Sequence, residues 1–307
     1  MNPDILTAFI AEQHHPDLYC HVLIDPSGMP KNSIDLLLRS LRQQLGEDAL
    51  TRLFRADLPH APHLHPILAC LSAPGGQPSQ VLLKWTAQIG LQDIKRPKRR
   101  VCGWLMSEAA LQAMASHLTS MCQIQIPQDA VRFYPLFEPI RFELFASVFE
   151  QINGGPWGPI RQWLFITSDG SPVSLKVQPE PQDSIPARAA SLQDEVELIE
   201  ALLMTWRALL MRPSAKPLQP MPLLAAVDAF EHIHQARQMG LTSPDDIFAF
   251  TLHHLCLHPR LHTSSIVRDM IDNAVPEPGF LAQSLAKYGD ADWRYLLSTL
   301  TPPEALI

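Results

Sequence analysis

Residues Tyr19–Gly46, YCHVLIDPSGMPKNSIDLLLRSLRQQLG, decide the fold class. Tyr19 to Asp25 is a short apolar run closed by an acid and a proline, the pattern of a buried strand. After it, Ser33 reads as the N-cap of a helix that carries Leu36, Leu37, Leu38 and Leu41 on one stripe and stops near Gly46. Strand, turn and amphipathic helix in one stretch set an α/β pattern, and the flanking sequence repeats it. PILACL (Pro66–Leu71) and VCGWLM (Val101–Met106) are further strand candidates. Ser107 reads as a cap and Glu108 as a first-turn acid for a helix through Leu111, Met114 and Leu118.

Two hairpins follow from turn chemistry. QIQI (123–126) and VRFY (131–134) flank Pro-Gln-Asp-Ala, and QWLFIT and PVSLKV flank Ser-Asp-Gly-Ser around Asp169 and Gly170, where Asp-Gly tolerates positive φ. Between them Phe142, Phe145 and Phe149 form the apolar stripe of a helix over residues 139–151. The expected class is therefore a mixed α+β / α/β fold with short strands and hairpins over residues 1–178.

Proline divides the chain, supplying 29 of its 307 residues. VQPEPQDSIPARA (Val177–Ala189) has no apolar periodicity, so residues 179–190 are expected to be a linker. Residues 191–307 read as an all-helical lobe. Ser191 with Asp194 resembles a capping box for a helix reaching Leu210. RPSAKPLQPMP (Arg212–Pro222) breaks the lobe. A segment from Leu223 ends at Gly240, and Ser243, Pro244 and Asp246 start the next helix. Pro276–Tyr288 and Asp292–Leu300 complete the lobe, and no 20–50-residue repeat is present.

With 46% apolar and 18% charged residues the chain can bury a core. A net charge of −7 disfavours attraction of the whole chain to nucleic acid or anionic lipid. Five cysteines, Cys20, Cys70, Cys102, Cys122 and Cys256, are scattered without C-x-x-C spacing, which fits a reducing compartment. The N-terminal stretch lacks a basic start and an apolar core, and no run approaches 18 apolar residues, so neither an export signal nor a membrane span is expected.

Thirteen histidines include His60, His63 and His65, and His253, His254, His258 and His262. His254/His258 and His258/His262 have the H-x3-H spacing that zinc sites use, but Pro259 interrupts a helix there and no acid lies between Asp246 and Asp269. A metal-dependent hydrolase on these histidines is one alternative. The basic run Lys95, Arg96, Lys98, Arg99 and Arg100 could meet phosphates or an acidic partner, so a nucleic-acid binder is another. The run lacks interleaved aromatics for base stacking. No G-x-S-x-G, phosphate-loop, G-x-G-x-x-G or H-E-x-x-H pattern occurs, which moves the expectation from catalysis toward binding. Trp157, in NGGPWGPIRQW (Asn153–Trp163), is a candidate interface anchor or core plug.

Several segments resemble, in order, the adaptor/chaperone family of type VI secretion. They are a strand ending in Asp (HVLIDP), Arg52-Leu53-Phe54, the Pro66–Leu71 strand and Gly103-Trp104. There follow a helix ending at His117-Leu118, Arg132-Phe133-Tyr134, and Gly158-Pro159-Ile160 leading to Trp163. The likeness spans Tyr19 to Thr167. One departure is Tyr134-Pro135-Leu136-Phe137-Glu138-Pro139, where the family runs directly into Asp-Pro. The resemblance implies a cytoplasmic, non-catalytic protein without metal or other cofactor. Its expected partners are a cognate secreted effector and the VgrG spike, with neither membrane nor nucleic acid among them. Trp104, Arg132, Tyr134, Trp157, Trp163, Lys95, Arg96, Arg99 and Arg100 are the candidate contact residues.

Overall fold

The structure is a computed structural model that describes residues 2–96, 98–125, 131–149, 155–177, 186–212 and 218–300. The chain divides into two compact units, Met1–Val196 and Glu197–Ile307. The fold is α+β.

In the first unit six strands form one sheet: β1 (Tyr19–Ile24), β2 (Leu50–Arg52), β3 (Ile67–Ser72), β4 (Val101–Ser107), β7 (Ile160–Ile166) and β8 (Pro172–Lys176), in the order β2-β3-β1-β4-β7-β8. Every pairing is antiparallel, so the alternation of strands and helices yields an antiparallel sheet and not a parallel one. A separate ribbon pairs β5 (Gln123–Gln125) with β6 (Val131–Phe133).

The strands sort their side chains by period two onto two buried faces. Cys20, Val22 and Ile24 of β1 join Ile67, Ala69, Trp104, Leu164 and Ile166 in one core. That core is covered by α1 (Pro3–Glu12), α2 (Lys31–Leu45) and α3 (Gln80–Gln92), through residues such as Ile10, Leu41 and Leu83. Leu23, Leu68, Leu105, Trp163 and Phe165 face the other way, onto α4 (Leu111–Met121), α5 (Pro139–Phe149) and α6 (Ala187–Asp194). This second core is aromatic: Phe142 stacks on Trp163 at 4.0 Å and meets Phe165 edge-on at 5.0 Å.

A β-bulge interrupts β4. Leu23 faces Gly103 while Ile24 faces Val101, so Cys102 is the extra residue. Gly103 has φ +155°, and a Cβ there would lie 2.5 Å from Trp163 Nε1 and 2.6 Å from the Leu164 carbonyl. Only glycine admits the tryptophan so close to the strand.

Several expected caps are displaced. Pro30 occupies the N-cap of α2, leaving Ser33 inside its first turn, because proline's φ suits that entry. Ser107 ends β4; its hydroxyl accepts the Ala109 amide at 3.0 Å, and α4 begins only at Leu111. Ser191 and Asp194 lie within α6, where α5 packs against it, and the unit boundary comes after Val196. The turn at 127–130, residues 153–154, and residues 179–185 of the expected linker lie outside the described residues, as does 213–217, while residues 187–190 of that expected linker are the first turn of α6.

The second unit is helical: α7 (Val196–Leu210), α8 (Ala225–Gln238), α9 (Pro244–Cys256), α10 (Ser265–Ala274), α11 (Phe280–Ala286) and α12 (Asp290–Thr299). Proline at N1 and Asp245 and Asp246 in the first turn start α9 as the sequence indicates. Asp246 reaches further: its buried carboxylate accepts the Gly279 amide at 2.6 Å and the Ala282 amide at 2.9 Å, which caps α11. Among the described residues no helix is long and apolar enough to cross a membrane.

Candidate functional site

One buried polar node in the first unit joins Asp25, which follows β1, to Arg55, Lys98 and Glu138. Ile24 ends β1, and Asp25 turns back on itself, accepting the Ser27 amide and hydroxyl at 2.8 Å each. The Asp25 amide donates to the Arg100 carbonyl at 2.7 Å, tying this turn to the entry of β4. Leu53 enters the core directly after β2, and Arg55 follows it inward. Arg55 grips Asp57 with Nε at 3.1 Å and Nη2 at 2.5 Å, lies 4.0 Å from Glu138, and sits over the Phe137 ring at 5.9 Å.

Glu138 is the centre. Its carboxylate accepts from Lys98 Nζ at 2.6 Å and Arg141 Nε at 3.2 Å, while its carbonyl accepts the Phe142 amide at the start of α5. The three residues that separate Tyr134 from Glu138-Pro139 form a turn, with the Glu138 amide donating to the Pro135 carbonyl at 2.9 Å. Glu138 thus combines ion pairing with the start of α5.

Burial sets the electrostatics. It raises the Asp25 carboxyl, with Glu138 adding to the rise and the Ser27 bonds opposing it. Burial also pushes the Cys102 thiol well up, with Asp25 and Glu138 adding, and pushes Cys122 up to about 12. Neither thiol is activated as a nucleophile, since that requires a lowered pKa. The node is charge-compensated and fixes four chain segments to one another.

The basic run belongs largely to this framework. Asp93, fully buried, accepts the Arg100 amide at 2.8 Å and its guanidinium at 2.7–3.0 Å, and Arg96 lies 3.4 Å away. Arg99 is buried and donates to the Ile166 and Thr167 carbonyls at 2.6 and 3.1 Å. Lys98 is committed to Glu138. Lys95 and Arg96 are exposed. Lys98, Arg99 and Arg100 thus form a clamp and not a free face for phosphates, because buried acids and carbonyls lie beneath them where the linear sequence cannot show them.

The aromatic candidates are core residues. Trp104 is buried and donates to Thr86 Oγ1 at 3.1 Å. Trp163 lies under Phe142, and Trp157 packs among Phe142, Phe145 and Phe149 at 5.6–6.0 Å. The interface-anchor reading of these three therefore gives way to the core reading, since a partner finds no surface on them. Tyr134 is buried and donates its hydroxyl to Asp194 at 2.9 Å; burial and then Asp194 raise its pKa. Arg132 is exposed, 3.9 Å from Asp194.

Among the described residues, two of this unit's grooves involve α2. One, of about 450 Å³, runs between α2 and α3 and is lined by Met29, Leu36, Leu37, Trp85 and Ile89, with Arg100 among the lining residues. Leu36 is 58% exposed there, a large apolar side chain facing solvent. The other, about 500 Å³, is polar and lined by Asp35, Arg39, Arg42 and Glu47. Neither gathers a nucleophile with a base.

Against family models, curated proteins and solved structures, the chain matches none. Among the described residues no three of His, Cys, Asp and Glu converge as a metal would require. α9 ends at Cys256, so His254 and His258 do not share a helix face, and His258 Nδ1 accepts the Arg260 amide at 3.1 Å. His65 is bonded to the Leu58 carbonyl at 3.1 Å.

Proposed function

We propose that this chain is a cytoplasmic, non-catalytic adaptor that binds a cognate type VI secretion effector and helps load it onto the VgrG spike. The observation that carries the reading is the junction of Asp25, Arg55, Lys98 and Glu138. It couples Asp25, which closes the HVLIDP segment, to Glu138, more than a hundred residues later, and so supports reading these two segments as parts of one architecture. Glu138 fills the place of the family's acid despite the three-residue insertion. The same saturation argues against chemistry at the node: each charge has a partner, and the nearby thiols are held protonated.

The binding surface in this reading is the groove between α2 and α3, which offers Leu36, Trp85 and Ile89, rimmed by Ser33, Gln88 and Arg100, to an effector segment with an apolar face. Co-expression with the neighbouring effector and spike proteins, followed by affinity capture, tests it. Both partners should co-purify, and Leu36→Glu should lower effector capture at least tenfold while leaving the thermal midpoint unchanged. Capture of neither partner by the native chain overturns the adaptor reading.

A further inference from the structure

The second unit holds a polar chain that the adaptor reading does not use. His254, on α9, is buried against Phe250, with the rings 3.9 Å apart. Its Nδ1 lies 2.7 Å from the Phe250 carbonyl. A carbonyl can only accept, so Nδ1 carries the proton and Nε2 of the neutral ring is an acceptor. The His262 backbone amide donates to that Nε2 at 3.1 Å, and His262 Nδ1 lies 3.0 Å from it. His262 Nδ1 must therefore also be protonated, which leaves its Nε2 to accept from the Gln235 amide at 3.1 Å. Gln235 Oε1 then accepts from His232 Nδ1 at 3.2 Å. One carbonyl thus fixes the direction of four successive hydrogen bonds, His232 to Gln235 to His262 to His254 to Phe250.

We propose that this relay is a proton-sensitive latch that holds the turn between α9 and α10 onto α8 and α9 only while His254 and His262 are neutral. A proton on His262 Nε2 turns an acceptor into a donor facing the Gln235 amide. One on His254 Nε2 sets three N–H groups against one another with no acceptor between them. Either event breaks the contact that seats Leu261, Thr263 and their neighbours.

The surroundings do not compensate such charge. On α8, Asp228 is coupled to His232 and Glu231, at the far end of the relay from His254. His253 on α9 and Arg268 on α10 add positive potential, and α11, Phe280–Ala286, carries no ionisable side chain. Burial lowers His254 to about 3, with His232, His262 and His253 contributing; burial and then His232 and Arg268 lower His262. The sign follows: both rings are neutral when folded and protonated when released below the ordinary histidine value of 6.5. The closed state is intact above that value and is lost as pH falls. Each proton taken up multiplies the opening constant by about ten per pH unit.

The full chain, labelled with ¹⁵N, tests this by imidazole ¹H–¹⁵N correlation at pH 7.5. The expected result is the Nδ1–H tautomer, the minority form of free imidazole, at His232, His254 and His262; an Nε2–H tautomer at His254 overturns the relay. Hydrogen exchange of residues 257–264, corrected for intrinsic rate, should accelerate at least tenfold from pH 7 to pH 5. Gln235→Glu, which places an anion between His232 and His262, should lower that acceleration severalfold by removing the share of His262, and His254→Phe should lower it by removing the share of His254. Equal acceleration in Gln235→Glu and the native chain overturns the latch even if His254→Phe fails to fold. The outcome is independent of whether the chain captures an effector.

Discussion

The two units carry buried polar networks of different kinds, although the second also buries the Asp246 carboxylate. The first buries formal charges, Asp25, Arg55, Asp93, Arg99, Glu138 and Glu143, and balances them with ion pairs and hydrogen bonds. The second buries His254 as a neutral ring at the end of a relay. Compensated charge resists acid until its carboxylates titrate, whereas a neutral imidazole chain fails as soon as protons compete for its lone pairs. Asp25 even works in the opposite sense to His254. Its carboxyl is raised, so above its ordinary value of 3.8 the fold binds that proton more readily than the unfolded chain does, and acid favours the fold there.

The strongest way to break this comparison is to remove the charge at its centre. Glu138→Ala leaves Arg55, Lys98 and Arg141 facing one another, and should cost about 3–5 kcal/mol, the usual penalty for orphaning a buried charge. Denaturant unfolding followed by exchange in β1 and α5 reads that loss, and exchange in α8 and α9 should stay unchanged. In the second unit Asp246→Ala removes the acceptor of two helix-start amides and should cost about 1–3 kcal/mol. That loss should appear in α11 and leave the first unit untouched. If Glu138→Ala loosened both units equally, the two would not be separate stability compartments.

The smallest effect concerns the thiols. Burial holds Cys20, Cys122 and Cys256 at about 12 and Cys102 well above its usual value, while Cys70 is partly exposed and raised less. Native labelling with a thiol reagent should modify Cys70 first, and Glu138→Ala should accelerate labelling of Cys102.

Parts of this were legible in the linear sequence for identifiable reasons. Phe142, Phe145 and Phe149 declared their helix because all three face one core, and Asp169-Gly170 declared its hairpin through Gly170 at φ +96°. α1 and α3 escaped the sequence reading. Their apolar content spreads around the helix, with Ile5 and Val81 exposed, so the periodic signal is weak. Lys98, Arg99 and Arg100 read as a run free to meet phosphates or an acidic partner because their partners Glu138, Ile166 and Asp93 come from different segments. No signal near the basic run identifies Glu138. For the relay a clue existed, the crowding of His253, His254, His258 and His262, but spacing pointed to metal ligation.

What the sequence determined by itself was the class of each part: a strand-and-helix half with apolar alternation, a helical half with caps and glycine stops, and a proline-rich stretch between them. These are local properties, set by backbone preference and by which side chains can share a face. Tertiary structure alone decided the antiparallel order of the sheet, the burial of the three tryptophans, and the partners of the basic run. It also decided that His254 and His262 join His232 and Gln235 in one hydrogen-bonded chain while His258 turns to the Arg260 amide. Such outcomes depend on which distant groups arrive within hydrogen-bonding distance, and that is a property of the packed chain.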